Sequence, residues 1–147
     1  MKVIGFEKEV VDPEYLKKHN VTQVELDELL STSDFISLHL PATSETINMI
    51  GKKQFELMKN TSFIINTARG QLIVESDLFD ALSNNQIAGA ALDVFETEPP
   101  INSELIKLTN LIATPHIGAQ IIEAQKDASI VIAQKIIKYF SDNQSKE

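Results

Sequence analysis

Three residues of this chain have types and surroundings that suit chemistry: an arginine, a histidine and a glutamate. Arg69 is the one arginine among 13 basic residues, and it stands in the turn Asn66-Thr67-Ala68-Arg69-Gly70, directly after an apolar run. A planar guanidinium grips a carboxylate through two parallel hydrogen bonds, which a lysine cannot copy, so Arg69 suits the anchoring of an acidic substrate. A surface arginine capping a helix is the plainer alternative. His116 lies in Thr114-Pro115-His116-Ile117-Gly118-Ala119, where proline fixes the approach and glycine permits close backbone contact. An imidazole there can exchange protons near neutrality. An isolated histidine is more commonly a satisfied side chain near a helix start. Glu98, in the stiff loop Glu96-Thr97-Glu98-Pro99-Pro100, bears on that choice. Placed against His116, its carboxylate would hold the ring in one tautomer and favour the protonated form, leaving a proton for a carbonyl oxygen. Otherwise it is a solvated turn before proline.

Such side chains need a scaffold, and the hydrophobic pattern predicts one. Short runs rich in Val, Ile and Phe alternate with longer segments of helical period, the mark of an α/β fold with a parallel sheet flanked by helices. Strands are expected at Val3 to Phe6, Val21 to Val24, Phe35 to Leu40, Ser62 to Asn66, Ile87 to Val94 and Leu111 to Ala113. Helical segments are expected from Asp12-Pro13 to Lys18, Glu25 to Leu30, Gly51 to Met58, Val74 to Leu82 and Ile121 to Phe140. The last carries Ile121, Ile122, Ala124, Ala128, Val131, Ile132, Ile136 and Phe140, a stripe wide enough that both its sides are expected to be covered. Sheets of this kind bind ligands at the carboxyl ends of their strands. The polar residues there are Glu7, His39 with Leu40 and Pro41, Thr67 to Gly70, Asp93, and Thr114 to Ala119.

Composition narrows the possibilities. The 147 residues are 43% hydrophobic and 23% charged, which fits one ordinary globular domain spanning residues 1–147. There is no cysteine, which removes disulfides and thiolate chemistry, and no metal is needed to make up for a thin core. A net charge of −8 argues against a nucleic-acid groove, which needs clustered positive surface. No stretch approaches the length of a membrane helix and the start has no basic-then-apolar leader, so the expected location is cytoplasmic. The Asn-x-Ser/Thr triplets at Asn20, Asn60 and Asn143 carry little weight in such a chain.

Taken together, the blocks from Ser33 to Pro41, Asn66 to Gly70, Ala90 to Phe95 with Glu98-Pro99, and Thr114 to Ala119 resemble the D-isomer-specific 2-hydroxyacid dehydrogenases, closest to the phosphoglycerate dehydrogenases. They span most of the chain in family order. The resemblance implies a Rossmann-like NAD-binding domain and an oxidoreductase of small 2-hydroxy and 2-keto acids. By it, Arg69 binds the substrate carboxylate, His116 is the acid/base and Glu98 tunes it. Asp93 would hold the nicotinamide carboxamide. His39, Leu40, Pro41, Thr67, Ala68, Arg69, His116 and Gly118 would line the cofactor. Glu7 would take the ribose hydroxyls, an acidic choice that favours NAD over its 2′-phosphorylated form.

One expected feature is missing. The glycine-rich fingerprint that cradles a pyrophosphate lies roughly 20 residues before the ribose acid, and here that acid is Glu7. The five glycines, Gly5, Gly51, Gly70, Gly89 and Gly118, never come close enough to form it. The chain therefore reads as a family member started late, without the first βα unit and without the separate substrate domain. Its central strand gone, the sheet would have two raw edges. The chain is expected to pair with a second copy, rearrange its first strands, or be unstable until a missing piece is supplied. NAD should bind more weakly than to a complete enzyme. Two other readings stand beside this one, a catalytically inactive remnant acting as a dimerisation or interaction module, and a plain α/β domain with accidental motifs.

Overall fold

The structure, a computed structural model, describes residues 1–118 and 122–144. It falls into two compact units, Met1–Thr114 and Pro115–Glu147. The first begins with β1 (Val3–Gly5), α1 (Pro13–His19) and β2 (Val21–Gln23). Asp12 starts α1 by accepting the Glu14 N–H at 3.0 Å, Pro13 presets the first turn, and Asn20 closes it with φ of 54°. The chain continues through α2 (Leu26–Thr32), β3 (Phe35–Leu38), α3 (Lys52–Leu57), β4 (Phe63–Asn66), α4 (Glu75–Ser83), β5 (Gly89–Leu92) and β6 (Leu111–Ala113). Two 3₁₀ turns that the periodicity did not predict, Gly70–Leu72 and Glu104–Lys107, lie in the connections.

The strands do not form one sheet. β1 and β2 pair in parallel, with Val3 opposite Val21. A separate all-parallel sheet has the order β3-β4-β5-β6, with Phe35 opposite Phe63 and Phe63 opposite Gly89. The parallel sheet and flanking helices expected from the βα alternation are present, as two parallel groups of strands. In the doubly wound order a central strand separates these two groups, and none of the described strands takes that place. The first strands keep each other as partners instead of moving onto the larger sheet.

Alternation along β3 sorts the two faces: Ile36 and Leu38 are buried, Phe35 and Ser37 exposed. Beneath the buried face lie Leu30 of α2, Phe55 of α3, and Leu78, Ala81 and Leu82 of α4, joined with Ile64, Ala90 and Leu92 in one apolar cluster. Each of the fully buried Leu, Ile and Phe side chains contributes about 1.5–3 kcal/mol. The Lys52 N–H donates to Asp77 Oδ2 at 2.8 Å, so α4 also caps α3. On the opposite face Phe35 is 67% exposed, stacked on Phe63 with ring centroids 5.4 Å apart.

The second unit contains α5 (Ile122–Gln144). Ile121, expected at its start, and Ala119, expected at the end of the preceding polar block, lie outside the described residues, as do the side chains of Ile122, Ala124 and Ala128. Full cover of this helix is not found: Ile130, Val131, Ile132, Ile136, Ile137, Tyr139 and Phe140 are all exposed. Periodicity identifies which residues are apolar but cannot supply the surface that buries them. Among the described residues no helix is long and apolar enough to cross a membrane.

An ion pair joins the segment that follows β1 to the one that follows β3. Lys8 Nζ lies 2.7 Å from Glu45 Oε2, both side chains being exposed. The hydrogen bond from Lys8, and then its charge, hold the Glu45 carboxyl below its ordinary range. A lowered folded value means that any stabilisation from the pair is present above the unfolded glutamate value and lost as pH falls through the folded one. Replacing Lys8→Met should move the Glu45 titration back up, read from its side-chain carboxyl resonance. An unmoved titration would show that the pair is not formed in solution.

Candidate active site

The carboxyl ends of β4, β5 and β6 are stitched together. The Asp93 N–H donates to the Asn66 carbonyl and the Thr114 N–H to the Leu92 carbonyl, both at 2.9 Å. Asp93 follows β5 directly and is only 6% exposed, with its Oδ1 accepting the Thr114 hydroxyl at 2.5 Å. A carboxylate this far from water needs donors around it.

Asn66 ends β4 and is 1% exposed. Its Oδ1 accepts the Ala68 N–H at 3.1 Å and its Nδ2 donates to the Arg69 carbonyl at 2.8 Å, so one buried amide shapes the turn. Sequence reasoning assigned Asn66 no role. The available signal was an Asx-turn residue at the end of an apolar strand. Asn66→Ala would leave that donor and acceptor without partners and should cost about 1–3 kcal/mol, measured by urea unfolding. An unchanged midpoint would mean that the turn is held by other contacts.

Arg69 itself is exposed. Its Nη1 donates to the Ala68 carbonyl at 2.6 Å, and among the described residues it forms no ion pair. Gly70 then packs so tightly that a Cβ there would lie 2.0 Å from the Phe95 carbonyl carbon and 2.5 Å from the Glu96 nitrogen. The arginine turn is thereby pressed against the backbone leading to Glu98. That loop has its own fastenings: Glu98 Oε1 accepts the Phe95 N–H at 3.1 Å, and Glu75 Oε1 accepts the Glu96 N–H at 2.7 Å.

The remaining expected site residues sit as follows. Glu7 is exposed just beyond β1, its Oε1 accepting the Lys8 N–H at 2.9 Å and its carbonyl held by Gln23 Nε2. His39 is exposed beyond β3, with Nε2 2.9 Å from Ser37 Oγ. Leu40 is half-buried against the core, Pro41 is exposed with its carbonyl accepting the Thr46 hydroxyl, and Thr67 is exposed beside half-buried Ala68. Arg69, Glu98 and Asp93 thus belong to the first unit, and His116 and Gly118 to the second. His116 is exposed and holds φ of 53°, a left-handed backbone that costs a non-glycine residue about 1 kcal/mol or more. No candidate metal cluster occurs among the described residues.

Parallel strands whose polar residues gather at their carboxyl ends, with helices packed on the sheet, define the doubly wound nucleotide-binding class. The family model for the D-isomer specific 2-hydroxyacid dehydrogenase, NAD binding domain, matches residues 1–118, and the chain belongs to this family. It is 42% identical over 138 residues to D-3-phosphoglycerate dehydrogenase of Archaeoglobus fulgidus, covering 93% of this chain and 26% of that protein. It is likewise 42% identical over 139 residues to glyoxylate reductase of Thermococcus litoralis, covering 95% and 42%. Among solved structures, a glyoxylate reductase from Paecilomyes thermophila superposes with a TM-score of 0.86 at 34% identity, over 92% of this chain and 41% of that one. The chain therefore spans about a quarter to two fifths of the length of these relatives, and NAD is the cofactor of the domain it represents.

Proposed function

We propose that residues 1–147 form the nicotinamide-facing and catalytic part of an NAD-dependent oxidoreductase. It interconverts a D-2-hydroxy acid, of the 3-phosphoglycerate type, and its 2-keto acid. The observation that carries this reading is Arg69, an exposed guanidinium without an ion pair among the described residues, on a turn fixed by buried Asn66 and by the packing of Gly70. The substrate class is supported by the relatives, which include a D-3-phosphoglycerate dehydrogenase and a glyoxylate reductase.

When bound, NAD supplies the hydride chemistry at its nicotinamide. Buried Asp93 fits the carboxamide as an acceptor, and exposed Glu7 can accept from ribose hydroxyls. His39, Leu40, Pro41, Thr67, Ala68 and Gly118 are assigned to lining the cofactor. Arg69 holds the substrate carboxylate in two parallel hydrogen bonds and so orients its C2. His116 accepts the C2 hydroxyl proton during oxidation and returns it during reduction, while Glu98 tunes the imidazole. The substrate-enclosing surface is assigned to polypeptide beyond these residues, and the chain alone is expected not to turn over. Exposed apolar residues on α5 favour a second reading, a self-associating interaction module forming a homodimer.

Titration of the isotope-labelled chain tests the first reading. NAD alone should shift the Asp93 and Thr114 amides, and 3-phosphoglycerate or glyoxylate added afterwards should shift the Arg69 Nε–H signal. No response at Arg69 to either acid, with NAD present, would remove the dehydrogenase reading. Binding of another copy that is unaffected by Arg69→Ala would favour the module.

A further inference from the structure

The loop between β1 and α1 is shaped by one side chain of β2. Gln23 Nε2 donates to the Glu7 carbonyl at 3.0 Å and to the Glu9 carbonyl at 2.8 Å, and its Oε1 accepts the Val11 N–H at 3.1 Å. Both amide protons and the oxygen are engaged, and the partners fix which way the amide lies: turned over, its oxygen would face two carbonyls. Gln23 is half-buried and stands in register with Gly5, two residues before Glu7, so the β1–β2 ladder sets where its side chain starts. Apolar packing does little to hold this loop. Glu7, Lys8 and Glu9 are exposed, Val10 is 91% exposed, and β1, α1 and β2 contain no buried residue.

Glu7 is the chemical group that the loop presents. Its Oε1 accepts the Lys8 N–H at 2.9 Å, and among the described residues its Oε2 has no hydrogen bond or ion pair. The carboxylate is thereby turned back onto its own backbone, and that backbone is what Gln23 grips. An acceptor held in this way meets a donor with less freedom left to lose.

We infer that Gln23 is a positioning residue, which by holding the backbone from Glu7 to Val11 sets the Glu7 carboxylate for the hydroxyls of the adenosine ribose. The inference rests on the assignment of Glu7 to the ribose under the proposed function, and Gln23 acts through Glu7 alone. Support of α1 is the plainer role for these bonds, but that helix has closures of its own, the Asp12 side chain at its start and the left-handed Asn20 at its end. The Gln23 bonds go instead to residues 7, 9 and 11, along the whole loop that carries the carboxylate.

Titration of the isotope-labelled chain with adenosine 5′-monophosphate and with its 2′,3′-dideoxy counterpart tests it. The parent chain should bind the ribonucleotide at least about tenfold more tightly, as expected for hydrogen bonds to a charged acceptor. Gln23→Met keeps the side-chain length, removes all three bonds, and should bring the two affinities within about twofold of each other. Asn20→Ala strains the left-handed end of α1 and leaves the loop's bonds in place, so it should keep the parent's preference. A second readout needs no variant: the Gln23 side-chain amide signals of the parent should shift with the ribonucleotide and stay in place with the dideoxy form. An undiminished preference in Gln23→Met, or unmoved Gln23 signals at saturating ribonucleotide, overturns the inference and leaves Glu7 as the ribose acceptor. Loss of the preference in both variants overturns it as well, since general loosening of the segment would then be the cause. A parent chain with no preference, or no measurable binding, removes the ribose assignment of Glu7 and the inference with it, while the Asp93 and Arg69 responses test the dehydrogenase reading separately.

Discussion

Gly70→Ala is expected to destabilise the first unit by about 3 kcal/mol or more, the upper end of what overpacking does to a close-packed interior. The added methyl would sit 2.0 Å from the Phe95 carbonyl carbon and 2.1 Å from its oxygen. These are backbone atoms, so no rotamer change relieves the clash. The neighbouring backbone is pinned as well, by Glu75 on the Glu96 N–H and by Glu98 on the Phe95 N–H. Relief therefore requires moving the whole Phe95–Glu98 loop away from the arginine turn. Against a total stability of about 5–15 kcal/mol for an ordinary domain, that is a large fraction. Urea unfolding of the two proteins measures it, and a difference under about 1 kcal/mol would show that the turn and loop are not pressed together in solution.

The second large effect is expected at Arg69. Exchange for lysine keeps the charge but loses the fork, so one of two parallel hydrogen bonds to a carboxylate has no donor in the right place. Hydrogen bonds to charged groups contribute about 1.5–3 kcal/mol each, which corresponds to roughly ten- to a hundredfold in affinity. Arg69→Lys should weaken binding of 3-phosphoglycerate or glyoxylate by that factor while leaving NAD binding and the unfolding midpoint close to those of the parent chain. The side chain is exposed and, among the described residues, its hydrogen bond goes only to the adjacent Ala68 carbonyl, so little folding energy is at stake. Equal acid affinity in the two proteins would remove Arg69 as the anchor.

Much of this arrangement can be read along the chain, because its signals are local. The runs Phe35 to Leu38 and Phe63 to Asn66 announce themselves by β-branched and aromatic residues, and Asp12-Pro13 opens α1 through a cap and a preset backbone. The polar strand ends, among them Asp93 and the Arg69 turn, follow from where the apolar runs stop. What stayed hidden depends on partners distant in sequence. Nothing near Val3 or Phe35 states which strand each pairs with, since pairing is decided across the whole unit. The role of Gly70 depends on Phe95, 25 residues later, and that of Asn66 on burial that only the assembled core produces. For α5 the pattern gave the stripe without what would cover it.

The distribution of buried residues divides the first unit in another way. Leu30 is the first fully buried residue of the chain; α1 contributes none, and neither do β1 and β2. The opening βαβ segment therefore adds little apolar burial, while the segment from Leu30 to Leu105 contains the whole apolar cluster. Melting of the unit is then expected not to be one all-or-none event. The leading segment should detach at a lower temperature than the rest, and whatever fastens it would raise that first transition alone.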